Sequence, residues 1–218
     1  MIERYLHQVK VELPPRNETA AGARTRLAAK FPRAALRRMT HLGLLLGSAL
    51  EDILLGPEDA LVYASTFAET RSLEDFLLSF PAAGPVLFQS SIHPGGVQQV
   101  LIGRQQPIAR LWPLAGRARL VEQALLTALL EPAPHVVLAG GEETGTWLLE
   151  HSMASGRSFA FAMILTRSPA GAAARVAFTP GAAAEDACLT LEDFTQALTG
   201  RRALQWQGGG GTWNLTWL

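Results

Sequence analysis

This 218-residue sequence contains very few cysteines and lysines, and it has no formal net charge. Cys188 is the only cysteine, so the chain cannot form an internal disulfide, which fits a reducing compartment. Lys10 and Lys30 are the only lysines, and the formal net charge is zero. The sequence therefore lacks the excess of positive charge typical of proteins that bind nucleic acids or anionic membranes. With 48% hydrophobic and 17% charged residues, the composition predicts one packed domain over residues 1–218.

Long apolar runs and metal-ligand patterns are also missing. Residues 42–55 are the most hydrophobic stretch, but charged residues and glycines interrupt them, and a membrane span needs roughly 20 apolar residues. The first ten residues lack the apolar core typical of a secretory signal. The five histidines show no metal-ligand spacing, and no motif indicates a cofactor. We therefore expect a soluble, cytoplasmic protein with no membrane span, metal or cofactor.

Short apolar segments of strand length alternate with segments of helical periodicity. Residues 60–65 and 135–139 are typical of buried strands, whereas residues 120–129 repeat leucine and alanine at helical spacing. Residues 158–166 form the clearest strand and are expected to pair with residues 175–179. The pattern predicts an α/β fold with a mostly parallel five-stranded sheet, helices on both faces and an antiparallel edge.

Two landmarks flank the centre of the chain. Residues 106–108 read Gln-Pro-Ile before an extended run, and residues 139–141 read Ala-Gly-Gly, where a tight turn is expected, followed by Glu142 and Glu143. This order resembles the nucleophile region of the β-ketoacyl synthases of the thiolase superfamily. In that family the catalytic cysteine stands at a helix N-terminus between the landmarks. Counting from either landmark places Ala115 there, and an alanine methyl cannot be acylated.

Other residues resemble one branch, the β-ketoacyl synthase N-terminal-like family, which accompanies aryl polyene, type II polyketide and fatty-acid gene sets. They are Arg37-Arg38-Met39 before an apolar helix, then Ser65, Phe88 and residues 91–93, Ser-Ile-His. The sequence departs from the branch at Pro94, where asparagine is usual, and by lacking the glycine before residue 107. Many members are described as chain-length-factor-like, and the resemblance covers residues 37–166.

The resemblance implies a thiolase-like half-fold without condensing activity. The sequence has about half the usual length and lacks a His-Gly-Thr-Gly-Thr-like motif, so the expected role is a non-catalytic subunit. Its expected partner is a catalytic β-ketoacyl synthase subunit, in a heterodimer that indirectly serves acyl carrier protein. In thiolase-like dimers the strand before the nucleophile pairs with its counterpart, and the corresponding interface residues here are Ile108, Ala109, Arg110, Leu111 and Trp112.

Two other functions stay open. Ser90 or Ser91 with His93 could serve a small acyl-thioester hydrolase or acyltransferase, although no Gly-x-Ser-x-Gly motif supports it, and a structural histidine is the simpler reading. A homodimeric scaffold is the other. Glu142 and Glu143 are acid/base candidates, but organising a loop or an interface is the favoured interpretation. Cys188 is expected to be a structural or loop cysteine rather than a displaced nucleophile.

Overall fold

The computed structural model describes residues 1–182, 188–208 and 210–218, and the strands in this part of the chain form one sheet. The eight strands are β1 (Ile2–Glu12), β2 (Ala60–Ser65), β3 (Arg110–Ala115), β4 (His135–Glu142), β5 (Phe159–Thr166), β6 (Ala174–Pro180), β7 (Leu204–Gly208) and β8 (Gly211–Trp217).

Nine α-helices accompany the sheet in the described residues. They are α1 (Ala20–Arg26), α2 (Arg33–Leu36), α3 (His41–Ala49), α4 (Thr70–Leu78), α5 (Pro85–Ser91), α6 (Gly95–Arg104), α7 (Leu120–Leu130), α8 (Trp147–Glu150) and α9 (Leu191–Thr199). Thr19, Thr40 and Thr190 begin α1, α3 and α9, because each side chain accepts a hydrogen bond from a backbone N–H of the first turn.

The sheet is mixed, with strand order β3-β2-β4-β5-β1-β6-β8-β7. β2 runs parallel to β3 and β4, and the other neighbouring pairs in the described residues are antiparallel. The α/β class and the helices on both faces are confirmed. The mostly parallel, five-stranded sheet was wrong in strand number and direction, because hydrophobic periodicity identifies a strand but not its partner or its orientation.

β1 explains one of these errors. It inserts between β5 and β6, so that Leu6 pairs with Leu165 on one side and with Ala174 on the other. The predicted pairing of residues 158–166 with 175–179 was therefore wrong: the two strands exist, but the first strand of the chain separates them. The pairing of β1 with β5 and β6 joins residues far apart in sequence, and a local sequence pattern does not show such contacts.

Gly140 and Gly141 were expected to form a tight turn, and this prediction was wrong as well. β4 runs through both glycines to Glu142. A Cβ atom on Gly140 would lie 2.7 Å from the Phe161 ring, and one on Gly141 would lie 2.6 Å from the Phe159 carbonyl oxygen. The glycines are therefore required by close packing against β5 rather than by a turn.

Each face of the sheet carries its own apolar core. On one face α7 and α9 cover a core that includes Leu125, Phe161 and Phe194, and on the other α1, α3 and α6 cover a core that includes Leu45 and Tyr63. β2 contributes to both cores, since its side chains alternate between the faces and all six of its residues are buried. This places β2 in the interior and leaves β3 as the outer strand beside it.

Candidate functional site

The strand predicted to meet a partner, β3, lies at one edge of the sheet. β2 pairs with it from Arg110 to Ala115, and no described residue pairs with its other side. Four of its six residues are exposed, and Trp112 keeps 41% of its surface accessible. An unpaired strand edge offers backbone donors and acceptors to a further strand.

The strand covers only part of the predicted interface segment. Ile108 and Ala109 precede it, and the N–H of Ala109 donates to the Asp59 carbonyl at 2.8 Å. The strand does not stop at Pro113 but continues to Ala115. Proline fits in an edge strand because a nitrogen that faces away from the neighbouring strand needs no ladder partner.

One buried carboxylate holds two side chains of β3. Glu131, just after α7, accepts a hydrogen bond at Oε1 from the Arg110 Nε, at 2.9 Å, and one at Oε2 from the Trp112 indole, at 2.7 Å. The Arg110 Nη2 forms a salt bridge with the same Oε1 at 2.7 Å. Burial alone would raise the pKa of Glu131, but the hydrogen bonds from Trp112, Arg110 and the Ala133 N–H outweigh it and lower the pKa. The carboxylate is therefore held in its charged form. Arg110 and Trp112 were both among the predicted interface residues, but no sequence signal indicated that Glu131 accepts their hydrogen bonds.

Ala115, at the predicted nucleophile position, ends β3 and is exposed. Gly116 follows with φ 141°, a conformation that suits glycine, and α7 begins only at Leu120. Residue 115 therefore does not cap the helix. A side chain there would receive little stabilisation from the helix dipole, which acts within the first turn.

Glu142 and Glu143 lie at the carboxyl end of β4 and are almost completely buried. Glu142 accepts hydrogen bonds from the backbone N–H groups of Thr66 and Phe67, which follow β2. Burial nevertheless raises the pKa of Glu142 to about 7, although the hydrogen bonds oppose the shift. Glu142 thus fixes the loop after β2. The Phe67 ring in this loop lies 5.0 Å from the Arg117 guanidinium in the loop after β3.

Three buried carboxylates also bind helix starts from elsewhere in the chain. Glu143 accepts from the N–H of Leu42 in α3 and of Arg71 in α4, at 3.2 and 2.8 Å. Glu69 accepts from Gly96 in α6, and Glu74 accepts from Leu148 in α8. The first turn of a helix has free N–H groups, and a carboxylate there is favoured. The sequence carries no local signal for these contacts, because each joins distant segments.

The structure does not bring Ser90 or Ser91 into a hydrogen bond with His93. The two hydroxyls donate to the carbonyls of Leu87 and Phe88 within α5, at 3.0 and 2.8 Å. The His93 ring instead stacks on Tyr63 at 4.9 Å. An activated serine needs a base within hydrogen-bond reach, which this arrangement does not supply.

A cleft of about 1050 Å³ opens between α4, α5, α6 and the segment before α3. Leu78, Val86 and Ile102 line it and are strongly exposed, with 71–77% of their surface accessible. The exposed Arg37 and Arg38 stand at the same cleft. A cluster of exposed apolar side chains of this kind is typical of a surface that contacts another molecule. No local sequence pattern predicts this cleft, because its lining residues come from several separate helices.

Cys188 is a free, exposed cysteine. Among the residues that the structure describes, no group of three or more histidine, cysteine, aspartate or glutamate side chains is placed to hold a metal ion. No helix within residues 1–182, 188–208 and 210–218 is long and apolar enough to cross a membrane.

No protein-family model matches the chain, and no curated protein matches it. Solved structures do. The complex of the ketosynthase ApeO with its chain length factor ApeC from Xenorhabdus doucetiae contains a chain that is 17% identical, with a TM-score of 0.69; the match covers 99% of this chain and 100% of that chain.

Two further structures share the fold. The ishigamide ketosynthase/chain length factor matches with a TM-score of 0.55 and 13% identity, over 94% of this chain and 73% of that one. A β-ketoacyl synthase from Burkholderia phymatum STM815 matches with a TM-score of 0.56 and 13% identity, over 81% and 63%. The chain therefore has the thiolase-like ketosynthase fold that its sequence predicted.

Proposed function

We propose that this chain is a non-catalytic, chain-length-factor-like subunit. It pairs with a catalytic β-ketoacyl synthase and shapes the tunnel that receives the growing acyl chain, in polyene, polyketide or fatty-acid elongation on acyl carrier protein. The chemistry belongs to the partner, and this chain supplies structure. The edge strand supports the pairing with a partner, the alanine at position 115 supports the lack of catalysis, and the cleft supports the tunnel-shaping role.

The observation that carries the proposal is the free edge of β3. The outer side of the strand is unpaired in the described structure, most of its side chains are exposed, and it includes the large indole of Trp112. A partner strand would satisfy the N–H and carbonyl groups that this edge presents, except at Pro113, which has no N–H, and would cover the apolar side chains. Tryptophan is also among the residues that contribute most to binding at protein interfaces.

The similar structures support this assignment. Two of them are complexes of a ketosynthase with a chain length factor, and the ApeO–ApeC complex contains a chain that this one matches from end to end. The absence of catalysis follows from the alanine at position 115, which the family resemblance aligns with the nucleophile. A methyl group can neither be deprotonated nor form the thioester that the condensation requires.

The cleft supports the tunnel-shaping role. Its exposed apolar side chains, Leu78, Val86 and Ile102, are suited to contact an acyl chain, and charged residues such as Arg71 and Glu74 line the same cleft. In the heterodimer we expect the ketosynthase to close this cleft from outside. The size of these side chains would then limit the length of the product.

Co-expression with the ketosynthase of the same gene set tests the pairing. We expect the two chains to co-purify and to elute as one heterodimer in size-exclusion chromatography. Trp112→Ala removes the exposed indole, and Pro113→Lys adds a charge to the free edge, so both variants should reduce co-purification. Leu54→Ala is the matched control, because Leu54 is 84% exposed and lies outside β3.

Other results would reject the proposal. A wild-type chain that forms only homodimers in the presence of the ketosynthase would support the scaffold. Hydrolysis of an acyl thioester by the purified chain, abolished by Ser90→Ala or Ser91→Ala, would support the enzyme. Full complex formation by both Trp112→Ala and Pro113→Lys would show that β3 is not the interface.

A further inference from the structure

We infer that Glu131 is the residue that makes the edge strand competent to pair. It neutralises the charge of Arg110 and fixes the Trp112 indole before the partner arrives. The inference rests on the proposed function, since it concerns the same interface. It assigns a positioning role to a residue outside β3 that would not itself contact the partner.

The only charge on β3 is compensated by Glu131. A charged side chain in an edge strand is a common protection against unwanted pairing, and Arg110 is the only charged residue of β3. In this structure its guanidinium contacts Glu131 through two nitrogens, at 2.9 and 2.7 Å, and the carboxylate is buried. The arginine therefore brings no uncompensated charge to the edge.

Glu131 also orders the Trp112 side chain before a partner binds. The same carboxylate accepts a hydrogen bond from the Trp112 indole at 2.7 Å, so one group fixes two long side chains two residues apart. Both stay partly exposed while they are held, because the side chain of Arg110 keeps 44% of its surface accessible and Trp112 keeps 41%. Side chains that are ordered before association lose less conformational entropy when the complex forms.

Glu131 is itself held in place by further hydrogen bonds. Its Oε1 also accepts from the Ala133 N–H at 3.2 Å, and its backbone carbonyl accepts from the buried guanidinium of Arg4 in β1. Arg4 donates to the Ala133 carbonyl as well, at 3.2 Å. Arg4 in β1 thus holds the backbone of residues 131 and 133, and this fixes the position from which the Glu131 side chain reaches the edge strand.

The test is a double-mutant cycle that measures the affinity of each variant for the purified ketosynthase. Glu131→Gln leaves Arg110 charged and unpaired, and Arg110→Gln leaves a buried carboxylate without its cation. The double variant replaces the ion pair by two neutral amides that can bond to each other. We expect Glu131→Gln to weaken binding about tenfold or more. Because the two residues are coupled, we expect the affinity of the double variant for the ketosynthase to return to within about threefold of the wild-type affinity.

The affinity of the double variant separates a positioning role of Glu131 from a purely structural one. If Glu131 only supported the end of α7, replacing Arg110 as well would not restore affinity. Binding by Glu131→Gln within twofold of wild type, or a double variant no better than this single variant, would overturn the inference.

A second variant keeps the inference testable if Glu131→Gln does not fold. Trp112→Phe removes the indole donor but keeps an aromatic ring. It should weaken binding at least threefold in a protein that still unfolds cooperatively, and unaltered binding would overturn the inference. A wild-type chain that binds no ketosynthase at all would instead overturn the proposed function, so the two failures are distinguishable.

Discussion

Gly140 in β4 lies directly against the Phe161 ring of β5. A Cβ atom on Gly140 would come within 2.7 Å of that ring and within 2.8 Å of the Ala64 carbonyl oxygen in β2. The contact lies in the centre of the sheet, where backbone atoms cannot move aside without breaking the ladder on both sides of β4. The glycine therefore permits the close approach of three neighbouring strands.

Gly140→Ala should consequently destabilise the fold. Forcing a methyl group into a well-packed core costs roughly 1–3 kcal/mol, and the backbone contact favours the upper part of that range. Gly156→Ala is the matched control, since a Cβ atom there would have no neighbour within 4 Å. Urea denaturation of both variants checks the prediction. Equal stabilities would show that the chain relaxes around residue 140.

The buried carboxyl of Glu142 should make stability depend on pH. Burial raises its pKa to about 7, whereas the unfolded chain has the ordinary value of 4.5. The folded state then binds the proton more tightly, so this contribution is fully present below pH 4.5 and is lost as pH rises through 7. The change is at most roughly 3 kcal/mol between these limits.

Denaturation of wild type and Glu142→Gln between pH 5 and 8 measures this contribution. The glutamine is neutral throughout and can still accept a hydrogen bond from the loop after β2, so the pH profile of the variant should be flatter. Identical slopes in the two proteins would mean that residue 142 titrates alike in the folded and unfolded chains.

Ala115→Cys should not give the isolated chain condensing activity. Residue 115 is exposed and ends a strand, and α7 starts only at Leu120, so the helix dipole does little to favour a thiolate. The new thiol should have a pKa near the ordinary value of about 8.5. Alkylation by iodoacetamide as a function of pH measures that pKa. Carbon–carbon bond formation by the purified variant would contradict the non-catalytic assignment.

The cleft wall should control product length in the heterodimer. Val86 lines the cleft and is 77% exposed, so Val86→Trp can be accommodated in the isolated chain while narrowing the space for an acyl chain. We expect shorter products from the reconstituted complex, detected by mass spectrometry. Leu54→Trp, at an exposed position in the connection before β2, is the control. An unchanged product distribution with Val86→Trp would place the tunnel elsewhere.

Several parts of this protein were determined by its sequence alone. The apolar run at residues 60–65 coincides with β2, and the helical repeat at residues 120–129 falls within α7. The resemblance predicted the thiolase-like fold, which the solved structures confirm. These features could be predicted because each depends on residues close together in the chain, where periodicity and spacing are visible.

Only the tertiary structure decided how these segments combine. It placed β1 between β5 and β6, carried β4 straight through Gly140, and joined Arg110 to a carboxylate 21 residues away. It also turned Glu69 and Glu143 toward the N-termini of distant helices. Strand partners and buried hydrogen bonds depend on which surfaces meet after folding, so no local pattern in the chain encodes them.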